Sequence, residues 1–528
     1  MGAVREKTKD PAKIVEQGKK GWRRLIFGRT LIILLALVAQ IGILLAFMLS
    51  LMEWVPALLG GTVVFTAVML GYILNTRENP SVKLSWCILI AIAPLLGTVL
   101  YLFFKLDFGH RVERQLQQKT LAESTAHIAD CTDSMETLRR ETSALYNAAR
   151  YLVGSGFPVY ANTDVTYFSL GEDKFAEMLV QLEKAEKFIF MEYFSIGPSY
   201  MWSIILEILA KKAAEGVEVR VMYDGSCAVS YLPYDYLEQL KALGIRCKMF
   251  SPFKPLVSTH YNNRDHRKIL VIDGHTAFTG GVNILDRYIN RKEVFGHWKD
   301  TAVMVKGEAA RSFTLMFLQM WNATERERSY EPYLESVSVP TQGYVIPYGD
   351  SPLDYDRVGE MVYLNILNQA RDYVYIMTPY LILDNEMVTA LQFAAKRGVD
   401  VRLILPHIPD KKYAFALAKT HYRELMEAGV RIYEYTPGFV HAKVFLSDDK
   451  HAVVGTINLD YRSLYLHFEC AAYLYDVPAL GDIKADFADT FQKSQEVTLA
   501  DEKKRGFLSR LAGYILKIAA PLMKKRSP

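Results

Sequence analysis

The sequence predicts an α/β protein: two similar α/β halves that form one shared active site, preceded by N-terminal transmembrane helices. Three observations carry this expectation. The pattern H-x-K-x-x-x-x-D occurs twice, at His266, Lys268, Asp273 and at His441, Lys443, Asp448, and a shift of 175 positions also lays Gly280 on Gly455, Asn283 on Asn458 and Arg287 on Arg462. Around each copy, short apolar runs alternate with amphipathic segments that end in glycine, which is the signature of α/β units with buried central strands. Before both copies stand three apolar stretches, each about as long as the roughly 20 residues a helix needs to cross a bilayer. The chain divides into a basic N-terminal tail (1–29), a transmembrane region of two to three helices (30–105), a helical connector (106–150), a first half (151–335), a second half (336–500) and a basic amphipathic C-terminal helix (501–528).

The tail carries nine Lys/Arg against three Asp/Glu, which by the positive-inside rule belongs in the cytoplasm. The apolar stretches run from Leu31 to Met52, about Val55 to Leu74, and Ser85 to Phe104. No small-residue cleavage site follows the first, so it reads as an anchor rather than a removed signal peptide. Lys105, Arg111 and Arg114 just past the third stretch pull against the sidedness set by the tail, so the membrane face of the catalytic part stays open. Residues 106 to about 150 are polar with helical periodicity.

The two halves then run in parallel. Phe188-Ile189-Phe190-Met191 is answered by Val374-Tyr375-Ile376-Met377. A helical segment closing at Gly216 before Val217–Met222 is answered by one closing at Gly398 before Val399–Leu405, and second helices close at Gly244 and Gly429. At the C-terminus, Phe507, Leu508, Leu511, Tyr514, Ile515, Ile518 and Leu522 recur at helical steps between Lys503-Lys504-Arg505 and Lys524-Lys525-Arg526, as in a helix lying in a membrane interface. A helix packed on the protein's own body is the alternative.

The paired motifs suit phosphoryl transfer through a histidine. Neutral imidazole is a good nucleophile near pH 7 and also serves as acid and base. Two histidines flanking a phosphodiester can divide the work, one attacking phosphorus and the other protonating the departing alcohol. Lys268, Lys443, Asn283 and Asn458 can surround the phosphoryl oxygens with positive charge and N–H donors. No metal is then required. Asp273 and Asp448 complete the motifs and stand in the candidate catalytic set, yet each follows an apolar run, a place better suited to a strand-end turn or ion pair.

With these residues in view, the chain resembles the phospholipase D superfamily, and within it the bacterial cardiolipin synthases. The likeness extends to Trp86, Pro94, Gly97 and Tyr101, to Gly156-Phe157-Pro158-Val159, Met191-Glu192-Tyr193-Phe194 and Thr378-Pro379-Tyr380, and to Arg462-Ser463 and Phe468-Glu469. The resemblance implies that Asp300 and Glu469 orient the histidines, each carboxylate fixing a tautomer and stabilising the imidazolium. It implies transfer of a phosphatidyl group from one phosphatidylglycerol to another, with His266 as nucleophile and His441 as general acid; the internal symmetry by itself allows the reverse. The implied partners are phosphatidylglycerol and cardiolipin in a bacterial cell membrane that holds the protein as a multi-pass enzyme, with a homo-oligomer possible.

Composition agrees with a membrane region plus a catalytic part: 528 residues, 51% hydrophobic. A net charge of +4 does not imply nucleic acid as a partner. Five cysteines without a C-x-x-C or His/Cys cluster argue against a disulfide scaffold or structural zinc. No G-x-x-x-x-G-K-[ST] loop calls for a nucleotide, so no cofactor is expected. Water as acceptor would make the enzyme a hydrolase, and another alcohol a different transferase. A non-catalytic scaffold would show a damaged motif, and both motifs are intact.

Overall fold

The computed structural model describes residues 62–519 apart from 77, 107–110, 228–230, 234, 253–262 and 355, together with the isolated positions 42 and 46. In the first half the strands are β1 (Thr163–Phe168), β2 (Phe188–Tyr193), β3 (Glu218–Asp224), β4 (Arg246–Phe250), β5 (Arg264–Asp265), β6 (Lys268–Ile272), β7 (Thr276–Gly280), β8 (His297–Lys299) and β9 (Ala302–Gly307). The second half supplies β10 (Tyr344–Asp350), β11 (Tyr373–Met377), β12 (Asp400–Pro406), β13 (Arg431–Tyr435), β14 (Gly438–Val440), β15 (Val444–Ser447), β16 (His451–Gly455), β17 (His467–Tyr475) and β18 (Ser494–Val497).

The internal repeat is a repeat of topology. One sheet runs β1-β9-β7-β6-β2-β3-β4 and the other β10-β17-β16-β15-β11-β12-β13-β18, the same order strand for strand with β18 added at the edge. In both, the strands that precede the motif (β2-β3-β4; β11-β12-β13) are parallel, joined by helical crossovers, while those that carry and follow it are antiparallel. The apolar run of β2 is buried at every position, whereas β11 and β12 keep Tyr375 and Arg402 partly exposed.

Each sheet is covered by its own helices on the outside, and the inner faces meet. Val303, Val305, Val444, Leu446, Val454, Ala472 and Leu474 share one core with the helix α4 (Ala310–Asn322). Each fully buried Val or Leu there stabilises by roughly 1.5–3 kcal/mol, so the halves form one body. Two short strands cross between them. β5 pairs in parallel with the start of β17, and β14 pairs in parallel with β8.

The N-terminal region departs from expectation. The first apolar stretch lies outside the described residues but for Gly42 and Ala46, and the second is described only as α1 (Thr62–Leu74). The third, expected to be one span from Ser85 to Phe104, is instead two 13-residue helices, α2 (Pro80–Ile92) and α3 (Pro94–Leu106), broken at Ala93. Pro94 lacks the N–H that would continue α2 and disfavours helical backbone at Ala93. The helices fold back on each other: Trp86 and Tyr101 meet edge to face at 5.4 Å, and a Cβ on Gly97 would lie 2.8 Å from the Ile90 Cα. At 1.5 Å per residue each is about 20 Å long, short of a hydrocarbon core of about 30 Å. Among the described residues no helix is long and apolar enough to cross a membrane. The hairpin rests on the second half, where Asn79 Nδ2 lies 3.4 Å from Glu386 Oε1.

The connector region holds three short helices, Arg111–Ser124, Thr132–Glu141 and Ser143–Gly154. At the C-terminus the helix read as interfacial packs on the protein body by one face. α6 (Phe507–Ala519) packs along α5 (Lys412–Met426): Arg505 donates to the Ala416 carbonyl at 3.2 Å, Lys517 Nζ meets Glu424 at 3.2 Å, and Gly513 lies so close that a Cβ would meet the Thr420 methyl at 2.7 Å. Its outer face stays apolar, with Tyr514 and Ile515 58% and 60% exposed. The closing basic cluster, Lys524 to Arg526, lies outside the described residues.

Candidate active site

The crossing strands set the geometry of the site. β5 leads directly into His266, whose backbone N–H donates to the Phe468 carbonyl of the other half at 2.9 Å. β14 leads into His441, whose N–H donates to the Lys299 carbonyl at 2.7 Å. The residue after each acceptor is a carboxylate. Glu469 therefore meets His266, with Nδ1 2.9 Å from both carboxylate oxygens, and Asp300 meets His441, with Nδ1 2.7 Å from Oδ2. Each histidine comes from one half and its carboxylate from the other. Both carboxylates are fully buried, and both histidines are 8% exposed.

Local sequence makes room for this. Gly281 follows the first motif and abuts Asp300 so closely that a Cβ would overlap the carboxylate. Its counterpart Thr456 instead donates a hydroxyl hydrogen bond to Glu469. The two carboxylates thus differ in support. Asp300 accepts from the Thr301 N–H at 2.9 Å, and Glu469 from His266 and Thr456.

Charge follows burial. Burial pushes Asp300 up to about 6 even with Lys443 opposing it. Burial also raises Glu469, but the His266 and His467 rings outweigh it and hold that carboxyl well below the usual range. Burial holds His266 well below its usual value despite the pull of Glu469. The same burial, with the cationic Lys443, Lys268, Arg287 and Lys411, holds His441 low. At neutral pH each pair is a carboxylate and a neutral imidazole; Nδ1 faces the carboxylate in both, and at His441 it also lies 2.9 Å from Lys443 Nζ. Burial lowers Lys268 to about 8 and Lys443 to about 7. Gly281, just past the first motif, abuts the Asp300 that meets His441, and Thr456, just past the second, donates to the Glu469 that meets His266, so the two motifs lie side by side.

The remaining motif residues are less uniform. Asp273 and Asp448 are not at the histidines, which corrects their place in the catalytic set. Both sit in left-handed turns, φ 51° and 54°, after β6 and β15. Asp273 accepts backbone N–H bonds from Glu186, Lys187 and Phe188 at 2.8 Å, and Asp448 from Arg371, Asp372 and Tyr373 at 2.8–3.0 Å. They brace the start of β2 and β11. Asn283 is also engaged within the protein, accepting from Ser195 N–H at 3.0 Å and donating one Nδ2 hydrogen to the Tyr288 hydroxyl at 2.9 Å. Asn458 is buried and its Oδ1 has no partner among the described residues.

Other side chains join the site that the motif did not mark. Phe194 packs edge-on against His266, and Trp298 and Tyr288 enclose His441. His467 lies with its ring 5.4 Å from His266 and Nδ1 3.5 Å from Glu469. Its place just before Phe468-Glu469 was the one local signal for it. His266, His467 and Glu469 offer ligand atoms within 4.8 Å of one another. A metal ion there would take the atoms that orient His266, so it would compete with the pair.

The chain matches the family model described as cardiolipin synthase, PLD-like domain, over residues 178–321 and 363–493, and that described as phospholipase D-nuclease N-terminal over residues 64–105. It is 33% identical to the cardiolipin synthase of Geobacillus thermodenitrificans over 88% of this chain and 93% of that one, and 33% identical to cardiolipin synthase 2 of Bacillus anthracis over 85% and 88%. An uncharacterized protein of Streptococcus mutans is 54% identical over 86% of this chain and 99% of its own length. Among solved structures, a phosphatidylserine synthase of Haemophilus influenzae shares the fold, with a TM-score of 0.55 at 16% identity, covering 70% of this chain and 96% of that one.

Proposed function

The chain belongs to the phospholipase D superfamily of cardiolipin synthases, and we propose that this phosphatidyltransferase joins two phosphatidylglycerol molecules into cardiolipin and glycerol through a phosphohistidine on His266. The observation that carries this reading is the pair of reciprocal histidine–carboxylate contacts, each made across the halves, beside two buried lysines.

In the first step the Nε2 lone pair of His266 forms a bond to phosphorus and the bond from phosphorus to the headgroup glycerol oxygen breaks. His441 gives its proton to that oxygen. The bound phosphodiester adds negative charge beside His441 and so raises the proton affinity that burial and its cationic neighbours depress. Glu469 stabilises the positive charge that develops on His266, which suits the more strongly anionic of the two carboxylates to the nucleophile. In the second step neutral His441 takes the proton from the primary hydroxyl of a second phosphatidylglycerol, whose oxygen attacks phosphorus and frees His266. One phosphodiester replaces another, so no nucleotide is consumed. Lys268 and Lys443 compensate charge on the phosphoryl oxygens, and Asn458 adds a donor.

The reading keeps the two halves at 151–335 and 336–500. It places the enzyme at a bacterial membrane through the apolar N-terminal region, with the hairpin of α2 and α3 entering one leaflet. Membrane attachment favours a lipid acceptor over water, because both lipids arrive by lateral diffusion. Purified protein given labelled phosphatidylglycerol alone, with chelator and without CTP, should release cardiolipin and glycerol in equal amounts. Phosphatidate as the product would make it a hydrolase, and a strict need for CTP or added metal would refute the mechanism.

A further inference from the structure

A groove on the second half lies between α5, α6, the loop that carries Tyr380 and the start of the short helix Tyr461–Tyr465. It encloses about 170 Å³, and its walls are Tyr380, Ile382, Leu417, Tyr461 and Leu516. Outward it continues into Tyr413, which is 53% exposed. The N-terminal hairpin rests on the same half, where Asn79 Nδ2 lies 3.4 Å from Glu386 in the helix Asn385–Lys396.

Inward, the groove meets the catalytic pocket. Lys411 and Tyr380, which line it, also line a small adjoining cavity with Phe439, whose ring lies 5.9 Å from that of His441, and Asp460 in its wall stands two residues after Asn458. Arg462 also lines it and gives the apolar trough a second cationic group. In an in-line displacement the leaving alcohol departs opposite the attacking nitrogen, and the incoming alcohol enters from the side the first one left. With His266 attacking, that side belongs to His441, which is where the groove opens.

We propose that this groove holds the acyl-chain end of the acceptor phospholipid, with Lys411 and Arg462 meeting its phosphodiester and its headgroup hydroxyl directed at His441. The inference rests on the assignment of His266 as nucleophile. It gives α6 a definite role, because Leu516 supplies one wall of the acceptor site. It also separates synthesis from hydrolysis, since occupation of the groove places an alcohol where water would otherwise attack.

The test uses the full chain in detergent and reads two reactions. Exchange of labelled glycerol into phosphatidylglycerol needs the donor site and a small acceptor only, whereas cardiolipin formation needs the second lipid as well. Leu417→Trp and, on the surface helix, Leu516→Trp fill the groove. Each should lower cardiolipin formation about tenfold or more, the scale on which a filled apolar pocket discriminates, while exchange stays within about threefold of wild type. Exchange also reports that the variant is folded. Equal loss of both reactions, or loss of neither in both variants, overturns the groove assignment. Wild-type protein that exchanges glycerol but makes no cardiolipin would overturn the proposed function itself, which keeps the two failures distinct.

Discussion

Replacing Glu469 by glutamine should nearly abolish turnover while leaving the fold intact. The side chain is fully buried, with both oxygens 2.9 Å from His266 Nδ1, and Thr456 donates to it as well. A hydrogen bond to a charged partner is worth about 1.5–3 kcal/mol, and each 1.36 kcal/mol is about tenfold in rate. That term alone gives a loss of roughly 10–150-fold. The larger effect is on the tautomer. A carboxylate accepts from Nδ1–H and leaves a lone pair on Nε2. A glutamine NH2 turned toward Nδ1 donates instead, which moves the ring proton to Nε2 and removes the nucleophile. The corresponding change in a serine-protease triad lowers kcat about 10⁴-fold, so a loss of about 10³–10⁴ is expected here, or about 4–5.5 kcal/mol. Cardiolipin formation by purified Glu469→Gln, with thermal unfolding as the control, measures it. Activity within about fivefold of wild type, with the melting temperature unchanged, would refute the tautomer argument.

Three further predictions address the other parts of the site. With a phosphatidyl-p-nitrophenol substrate, whose leaving group needs no proton, His441→Ala should still release a stoichiometric burst of nitrophenol and His266→Ala none; the opposite pattern would exchange their roles. Lysines with lowered values are charged below them and neutral above, so kcat/KM should fall as pH rises through about 7 to 8, where Lys443 and Lys268 lose their protons. The matching limb in kcat should lie higher, because a bound phosphate favours the charged lysines, and a kcat/KM flat to pH 9 would refute their role. Asp273→Ala should lower stability by about 1–2 kcal/mol, the scale for losing a side-chain acceptor of backbone N–H groups, with kcat retained once folded; a selective loss of kcat at an unchanged melting temperature would return Asp273 to the catalytic set.

The sequence determined what is local or repeated. The buried runs at Phe188–Met191 and Val374–Met377 and the helices closing at glycine follow from periodicities of two and 3.6 residues, and the 175-residue shift exposes the duplication of topology before any contact is known. Pro94 was passed over inside a stretch read as one span, because a proline in an apolar helix either kinks or ends it and only the packing of α2 on α3 decides which. Tertiary structure alone decided which carboxylate serves which histidine. Glu469 is 203 residues from His266 and Asp300 is 141 from His441, and only the reciprocal strands β5–β17 and β8–β14 bring them together. It also turned the two motif aspartates to the starts of β2 and β11, and laid the C-terminal helix against α5. Chain-local patterns record which face of an element is apolar. They do not record which buried surface that face will meet, because partners far apart in sequence are chosen by the packing of the whole core.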